Sequence, residues 1–264
     1  MKIGIIGLGN MGGAILGGIV AKGIVAPENI YGYDVSEAMV NNAVDKYRIN
    51  AASSNEEVIE GADAVILAVK PQFMGQMLEG LKKKWNDDTV IISIAAGKTL
   101  DWLGQNIGKE HKIVRCMPNT PALVGEGCTG ICAGEKVNAD DMKLAKMLLE
   151  SCGKAIEVTE NQMDAVVGIS GSSPAYVFMF IEAMADAGVK AGLTRDKAYE
   201  FAASAVKGSA ALMLETKKHP GELKDMVCSP AGTTIAAVEV LEEGGFRGLI
   251  MDAVDACVQR NREL

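Results

Sequence analysis

The chain has 264 residues, 48% of them hydrophobic and only 5% aromatic, and its 30 glycines make about 11 per cent of the sequence against ~7 per cent in an average protein. That apolar content excludes a disordered chain, and glycines without a fixed period, beside only 7 prolines, exclude a collagen-like repeat. With 26 Lys+Arg against 34 Asp+Glu, net charge −8, and no basic stripe beyond Lys82-Lys83-Lys84, which reads as a solvated helix face, nucleic acid is not an expected partner.

In chain order, short β-branched runs alternate with helical stretches as far as about residue 160. Strands are predicted over 2–6, 30–33, 64–68, 90–94, 113–116, 129–132 and 155–158. Helices are predicted between them over 11–22, 37–46, 56–60, 73–83, 100–107 and 140–151. Several strands are apolar on nearly every residue, as a sheet covered on both faces requires. The alternation makes residues 1–160 an α/β domain with a doubly wound, mostly parallel Rossmann sheet that binds a dinucleotide. Beyond it the strands stop, and 164–190, 195–216, 221–227, 234–243 and 247–262 read as helix. Residues 161–264 are therefore expected to form an all-helical domain. Its long first helix is mostly apolar between Val177 and Ala187, so a second copy is expected to cover it in a homodimer.

Cysteine usage and the apolar runs set the compartment. The six cysteines at 116, 128, 132, 152, 228 and 257 form no C-x-x-C pair, and there are two histidines, so no metal site or disulfide framework is expected. The longest apolar runs, such as 64–69 and 90–96, are strand-length and far short of a membrane span. The first strand opens at once after Met1, without a signal peptide. A cytoplasmic protein with no membrane partner is expected.

The glycines cluster first at Gly7-Leu8-Gly9-Asn10-Met11-Gly12, a G-x-G-x-x-G between a predicted strand and a predicted helix. Gly7 permits the tight turn, Gly9 lets a pyrophosphate approach the backbone, and Gly12 allows close helix–strand contact. The helix start offers free N–H groups and a positive dipole end. Asp34 closes the second strand 22 residues beyond Gly12, where a carboxylate bonds the ribose 2′-OH of NAD and repels the 2′-phosphate of NADP. The alternative for Asp34 is a turn start or helix cap. NADH is the expected cofactor, with NADPH as the second choice. Ala68-Val69-Lys70-Pro71-Gln72 and Ala95-Ala96-Gly97 follow the next two strands and should line the cofactor crevice.

Three further segments stand out. Arg115-Cys116-Met117-Pro118-Asn119-Thr120-Pro121 makes a stiff loop after a strand, as suited to a structural turn as to a site. Ser170-Gly171-Ser172-Ser173-Pro174-Ala175-Tyr176 interrupts an apolar helix and should bend or loosen it. Ser229-Pro230-Ala231-Gly232-Thr233-Thr234 precedes a helix, and on spacing alone is equally an ordinary cap or an anion site. His111 reads as a loop residue and His219 as a helix start. With no Ser-His-Asp set and no Cys–His pair, the residues suit hydride transfer, in which the nicotinamide does the hard chemistry.

Six segments together, residues 7–12, 69–72, 95–97, 115–121, 170–176 and 219–247, resemble the Δ1-pyrroline-5-carboxylate reductase family over essentially the whole chain. The resemblance implies a Rossmann domain followed by a helical dimerisation domain, with five dimers forming a decamer in some members. It implies reduction of the cyclic imine 1-pyrroline-5-carboxylate to L-proline, the last step of proline biosynthesis. By the same likeness Ser229, Ala231, Gly232, Thr233 and Thr234 bind the substrate carboxylate, which favours the anion site over the plain cap. Thr234 is the catalytic candidate for a hydroxyl bond to the ring nitrogen, and Asn55 matches a cofactor-contacting asparagine. Ala231 departs from a frequent glycine, as does Ser173.

Two other functions are weighed against it. A β-hydroxyacid dehydrogenase shares the glycine motif but carries a catalytic lysine one turn beyond a similar helix start, whereas here the next lysine after Pro174 is Lys190. A non-catalytic nicotinamide sensor would bind cofactor without turnover.

Overall fold

A run such as Ile3-Gly4-Ile5-Ile6 has no polar side chain to present to water, so it is stable only with both faces covered. In the computed structural model, which describes residues 1–263, the strands carrying such runs are central. The elements of the first part are β1 (Ile3–Ile6), α1 (Asn10–Ala21), β2 (Ile30–Tyr33), α2 (Glu37–Tyr47), β3 (Asn50–Ala51), α3 (Asn55–Ile59), β4 (Ala64–Leu67) and α4 (Pro71–Leu81). Then follow β5 (Val90–Ser93), α5 (Leu100–Ile107), β6 (Lys112–Met117), β7 (Gly127–Ala133), α6 (Ala139–Leu149) and β8 (Gly153–Glu157). They form one eight-stranded sheet of order β3-β2-β1-β4-β5-β6-β7-β8, parallel except for the β6–β7 pair.

Strand alternation divides the core into two layers. Ile3, Ile5, Ile30, Ile66 and Ile92 point to one face and pack on Ile15, Leu16 and Ile19 of α1. Ile6, Val65, Leu67 and Ile91 point to the other and pack on Met74 and Leu78 of α4 and Leu103 of α5. The doubly wound, mostly parallel sheet is thus as expected. β3 is additional: two residues paired to Tyr31 and Gly32 of β2.

Beyond β8 the regular elements are helical: α7 (Met163–Val166), α8 (Ser173–Lys190), α9 (Arg195–Thr216), α10 (Pro220–Val227), α11 (Thr233–Glu243) and α12 (Phe246–Arg262). The single helix expected over 164–190 is interrupted, because Val167–Gly171 form a π-helical turn. This is the loosening that the serines, glycine and proline of 170–176 foretell. Two compact units result, Met1–Ser172 with the residues from Val258, and Ser173–Cys257.

The second unit buries little by itself. Its buried hydrophobic residues are Ala185, Ala198 and Ala202, whose small side chains let α8 and α9 approach closely. Phe178, Met179, Phe201, Leu249 and Met251 are each more than 60% exposed. By length and composition the helical stretch Glu160–Lys190 is apolar enough to cross a membrane, with mean hydropathy 1.3 and 17% of that window buried. Uninterrupted runs do not reveal this stretch, because polar residues are scattered along it.

Candidate active site

The topology brings four strand ends together. Ile6 is in register with Tyr33 of β2 and Leu67 of β4, and Leu67 with Ser93 of β5. Gly7, Asp34, Ala68 and Ile94 therefore leave the sheet side by side. The strand order reverses there, between β1 and β4, which is where open α/β sheets bind ligands.

The three motif glycines meet different demands. Gly7 has φ +97°, and a Cβ on it would stand 2.7 Å from the Ala68 carbonyl. A Cβ on Gly12 would overlap the Gly7 carbonyl oxygen. Those two are required by the chain's own atoms. Gly9 is not: a Cβ there meets nothing within 4 Å. It is the N-cap of α1, extended and without a side-chain capping bond, and the first turn has no acidic residue. Gly13 N–H donates to the Gly9 carbonyl at 2.7 Å, so the amides before it lie outside the helical ladder. This cradle fits a dinucleotide diphosphate.

Asp34 is already engaged. Its Oδ2 accepts from Leu8 N–H at 2.8 Å and its Oδ1 from Ser36 N–H at 2.9 Å. The turn-starting alternative is thus present, and the carboxylate also braces the glycine loop. Two oxygens offer about four acceptor sites, so ribose hydroxyls retain room to bond. Asn55 opens α3, and its Oδ1 is buried without a partner among the described residues. An orphaned buried acceptor costs about 1–3 kcal/mol, which a ligand hydroxyl or amide would relieve.

The two crevice loops continue this edge. Ala68 N–H donates to Ile6 O at 2.8 Å, Val69 is half-buried, and exposed Lys70 is the N-cap of α4 with Pro71 in its first turn. Ala95 is buried, Ala96 half-buried, and Gly97 has φ +73°.

The 115–121 loop is tied down. Asn119 Oδ1 accepts from Cys128 N–H at 2.8 Å, and its Nδ2 donates to Ser170 Oγ and O at 3.1 and 3.2 Å. That locks the loop to the π turn. Nearby Cys116 is fully buried, and desolvation pushes its thiol far up.

The 229–234 loop lies in the second unit. Gly232 N–H donates to Ser229 O at 3.0 Å, and Gly232 is the N-cap of α11, without a side-chain capping bond or an acid in the first turn. Ala231 has φ +54°, a left-handed conformation that favours glycine. Ser229, Ala231, Gly232, Thr233 and Thr234 thus gather around one uncapped helix start. Upstream, His219 caps α10, its Nδ1 accepting from Gly221 N–H at 3.1 Å.

Sequence reasoning passed over Glu160. Its Oε1 accepts from Leu100 N–H at 2.6 Å and from Arg115 Nη1 at 3.0 Å. Glu160 sits one residue into a Thr–Glu helix opening, where it reads as an ordinary capping acid.

A family model for pyrroline-5-carboxylate reductase dimerisation matches residues 160–264, and one described as NADP oxidoreductase, coenzyme F420-dependent, matches 2–97. A pyrroline-5-carboxylate reductase of Escherichia coli (strain K12) is 50% identical over 263 residues, covering 100% of this chain and 98% of the relative. One from Arabidopsis thaliana is 42% identical over 263 residues, 100% of this chain and 95% of its own. A solved pyrroline-5-carboxylate reductase from Coxiella burnetii superposes with TM-score 0.94 at 36% identity, over 99% of this chain and 97% of its own. The Plasmodium falciparum pyrroline carboxylate reductase, solved with NADP bound, does so with TM-score 0.89 at 36% identity, over 100% and 97%.

Proposed function

The chain belongs to the pyrroline-5-carboxylate reductase family, and on that premise we propose that it reduces 1-pyrroline-5-carboxylate to L-proline, the last step of proline biosynthesis, with NADH preferred over NADPH. In this chain's own geometry the observation that carries the reading is Gly9, a glycine that no protein atom requires at a phosphate-binding helix start. Asp34 supports NADH, since a carboxylate beside the ribose repels a 2′-phosphate.

When bound, the reduced nicotinamide supplies a hydride. The amides of Asn10, Met11 and Gly12 receive the diphosphate, Asp34 the ribose, and Asn55 Oδ1 gains the partner it lacks. Ala68, Val69, Lys70 and Pro71, with Ala95, Ala96 and Gly97, border the cofactor. The α11 start, with Ser229, Ala231, Gly232 and Thr233, holds the substrate carboxylate through free N–H groups and hydroxyls. The Thr234 hydroxyl bonds the ring nitrogen. The imine carbon gains a hydride, its C=N π pair passes to nitrogen, and nitrogen carries one added proton. Thr234 helps hold that proton in place.

We also infer a homodimer through the helical unit, supported by its exposed phenylalanines and methionines and by the matching dimerisation model. A decamer of five dimers is the larger assembly of the same kind. The six cysteines, none in a disulfide, support a reducing compartment, the cytoplasm.

The deciding assay follows NADH oxidation on adding pyrroline-5-carboxylate. Turnover is expected, with a lower KM for NADH than for NADPH. No turnover with either cofactor sinks the reading, and equal or reversed KM values remove the NADH preference. Light scattering is expected to give a dimer or a multiple of it. A monomer, or a chain soluble only in detergent, would overturn the assembly.

A further inference from the structure

The loop between β5 and α5, residues 94–99, contains Ala95, Ala96 and Gly97. Both of its ends lead to one side chain. At its start, Ser93 is in register with Arg115 of β6. At its finish, Leu100 N–H donates to Glu160 Oε1, and the same oxygen accepts from Arg115 Nη1. Arg115 has a side chain only 8% exposed, so its charge depends on that carboxylate. The loop is thereby closed into a ring: sheet ladder at one end, charge-assisted bonds through Glu160 at the other.

The loop's first two residues are held by the sheet and the core, Ile94 N–H donating to Leu67 O at 3.1 Å and Ala95 buried, but residues 96–99 have few ties of their own. Its internal bonds are long, Ala95 N–H to Ser93 Oγ at 3.4 Å and Lys98 N–H to Ala95 O at 3.4 Å. Gly97, at φ +73°, adds a left-handed turn that favours glycine. Thr99 caps α5 through Trp102 N–H at 3.1 Å, which orders the helix start without tying it to the sheet. Glu160 supplies that tie.

We propose that Glu160 is a positioning residue for the cofactor. It touches neither cofactor nor substrate, and it sets the 95–97 loop by holding Leu100 against Arg115. The inference rests on the proposed reading that this loop borders the nicotinamide cofactor.

The test measures NADH binding by fluorescence without substrate, at a temperature well below every variant's Tm. Glu160→Ala should raise the NADH Kd about tenfold, the loss of one hydrogen bond to a charged group. Glu160→Gln keeps an acceptor for Leu100 and should recover most of that affinity. Leu100→Pro removes the N–H at a first-turn position where proline is tolerated and leaves the Arg115 pair intact, and because it also takes the Leu100 side chain off the core, Leu100→Ala is its control. It should weaken NADH binding several-fold relative to Leu100→Ala, with a Tm near that control, and it decides the matter if Glu160→Ala fails to fold. Wild-type Kd values in Glu160→Ala or Leu100→Pro, whatever their Tm, would make the role purely structural and overturn the proposal. Wild-type protein that binds NADH without reducing the imine would defeat the proposed reaction and leave this test in force.

Discussion

α1 and α11 begin alike, in two different units of the molecule. Each has a glycine N-cap in an extended conformation, no side-chain capping bond and no acid in its first turn. Some other helices supply their own caps, Ser54 for α3, Thr99 for α5 and Asn138 for α6, while α4 shares the uncapped start but opens on Lys70 and Pro71. What distinguishes α1 from α11 is the space at the glycine. A Cβ at Gly9 meets nothing within 4 Å, whereas one at Gly232 would overlap Ser229 Oγ. The space beside Gly9 is open, and that beside Gly232 is closed by the Ser229 hydroxyl. An uncapped helix start leaves N–H groups free for an anion, and the space beside its glycine decides how closely one can approach there.

The largest effect that probes this comparison comes from Gly12. A Cβ there presses on the Gly7 carbonyl, so Gly12→Ala should cost about 1–3 kcal/mol of stability and abolish NADH binding. Gly9→Ala separates the two functions of the motif. Its Tm should stay near wild type, since only a few tenths to ~1 kcal/mol of capping preference is lost. NADH binding should still weaken more than tenfold, because the methyl enters the diphosphate's space. Thermal melts and NADH titrations of the pair measure both, and tight binding by Gly9→Ala would show that the open space serves something else.

At the α11 start the expected effect is catalytic. Thr234→Ala should lower kcat about ten- to hundredfold, the loss of a hydrogen bond to a charged nitrogen, and leave NADH affinity unchanged. Unchanged steady-state kinetics would remove Thr234 from the reaction and leave α11 as a carboxylate holder alone.

The two starts also differed in how far the sequence disclosed them. The α1 site was legible because its signals are local: an apolar strand, glycines at fixed offsets, and an acid at the end of the next strand. β3 was missed for the opposite reason, since Asn50–Ala51 has no apolar run and pairs only because β2 presents an open edge. At α11, spacing alone left cap and anion site even, and only the family likeness favoured one. The Glu160 tie joins residues 60 apart in sequence, and no local pattern encodes it. The second unit's helices were readable as helices. Their exposed apolar faces depend on what covers them, which belongs to the assembly and not to a single chain.

The smallest effect concerns the one position where the α11 loop opposes its own geometry. Ala231 adopts φ +54°, which costs an L-residue with a Cβ roughly 1–2 kcal/mol. Ala231→Gly removes that strain but gives the unfolded chain more freedom, which takes back about 0.5–1 kcal/mol. The net expectation is a gain of about 0.5–1 kcal/mol in denaturant unfolding, with the imine KM within about twofold of wild type. KM should hold because the backbone amides, not the methyl group, face the anion. A loss of stability would mean that the methyl packs well enough to offset its strained backbone. A large rise in KM would mean that the alanine stiffens the loop, so that the carboxylate site gains from rigidity what the α1 site gains from open space.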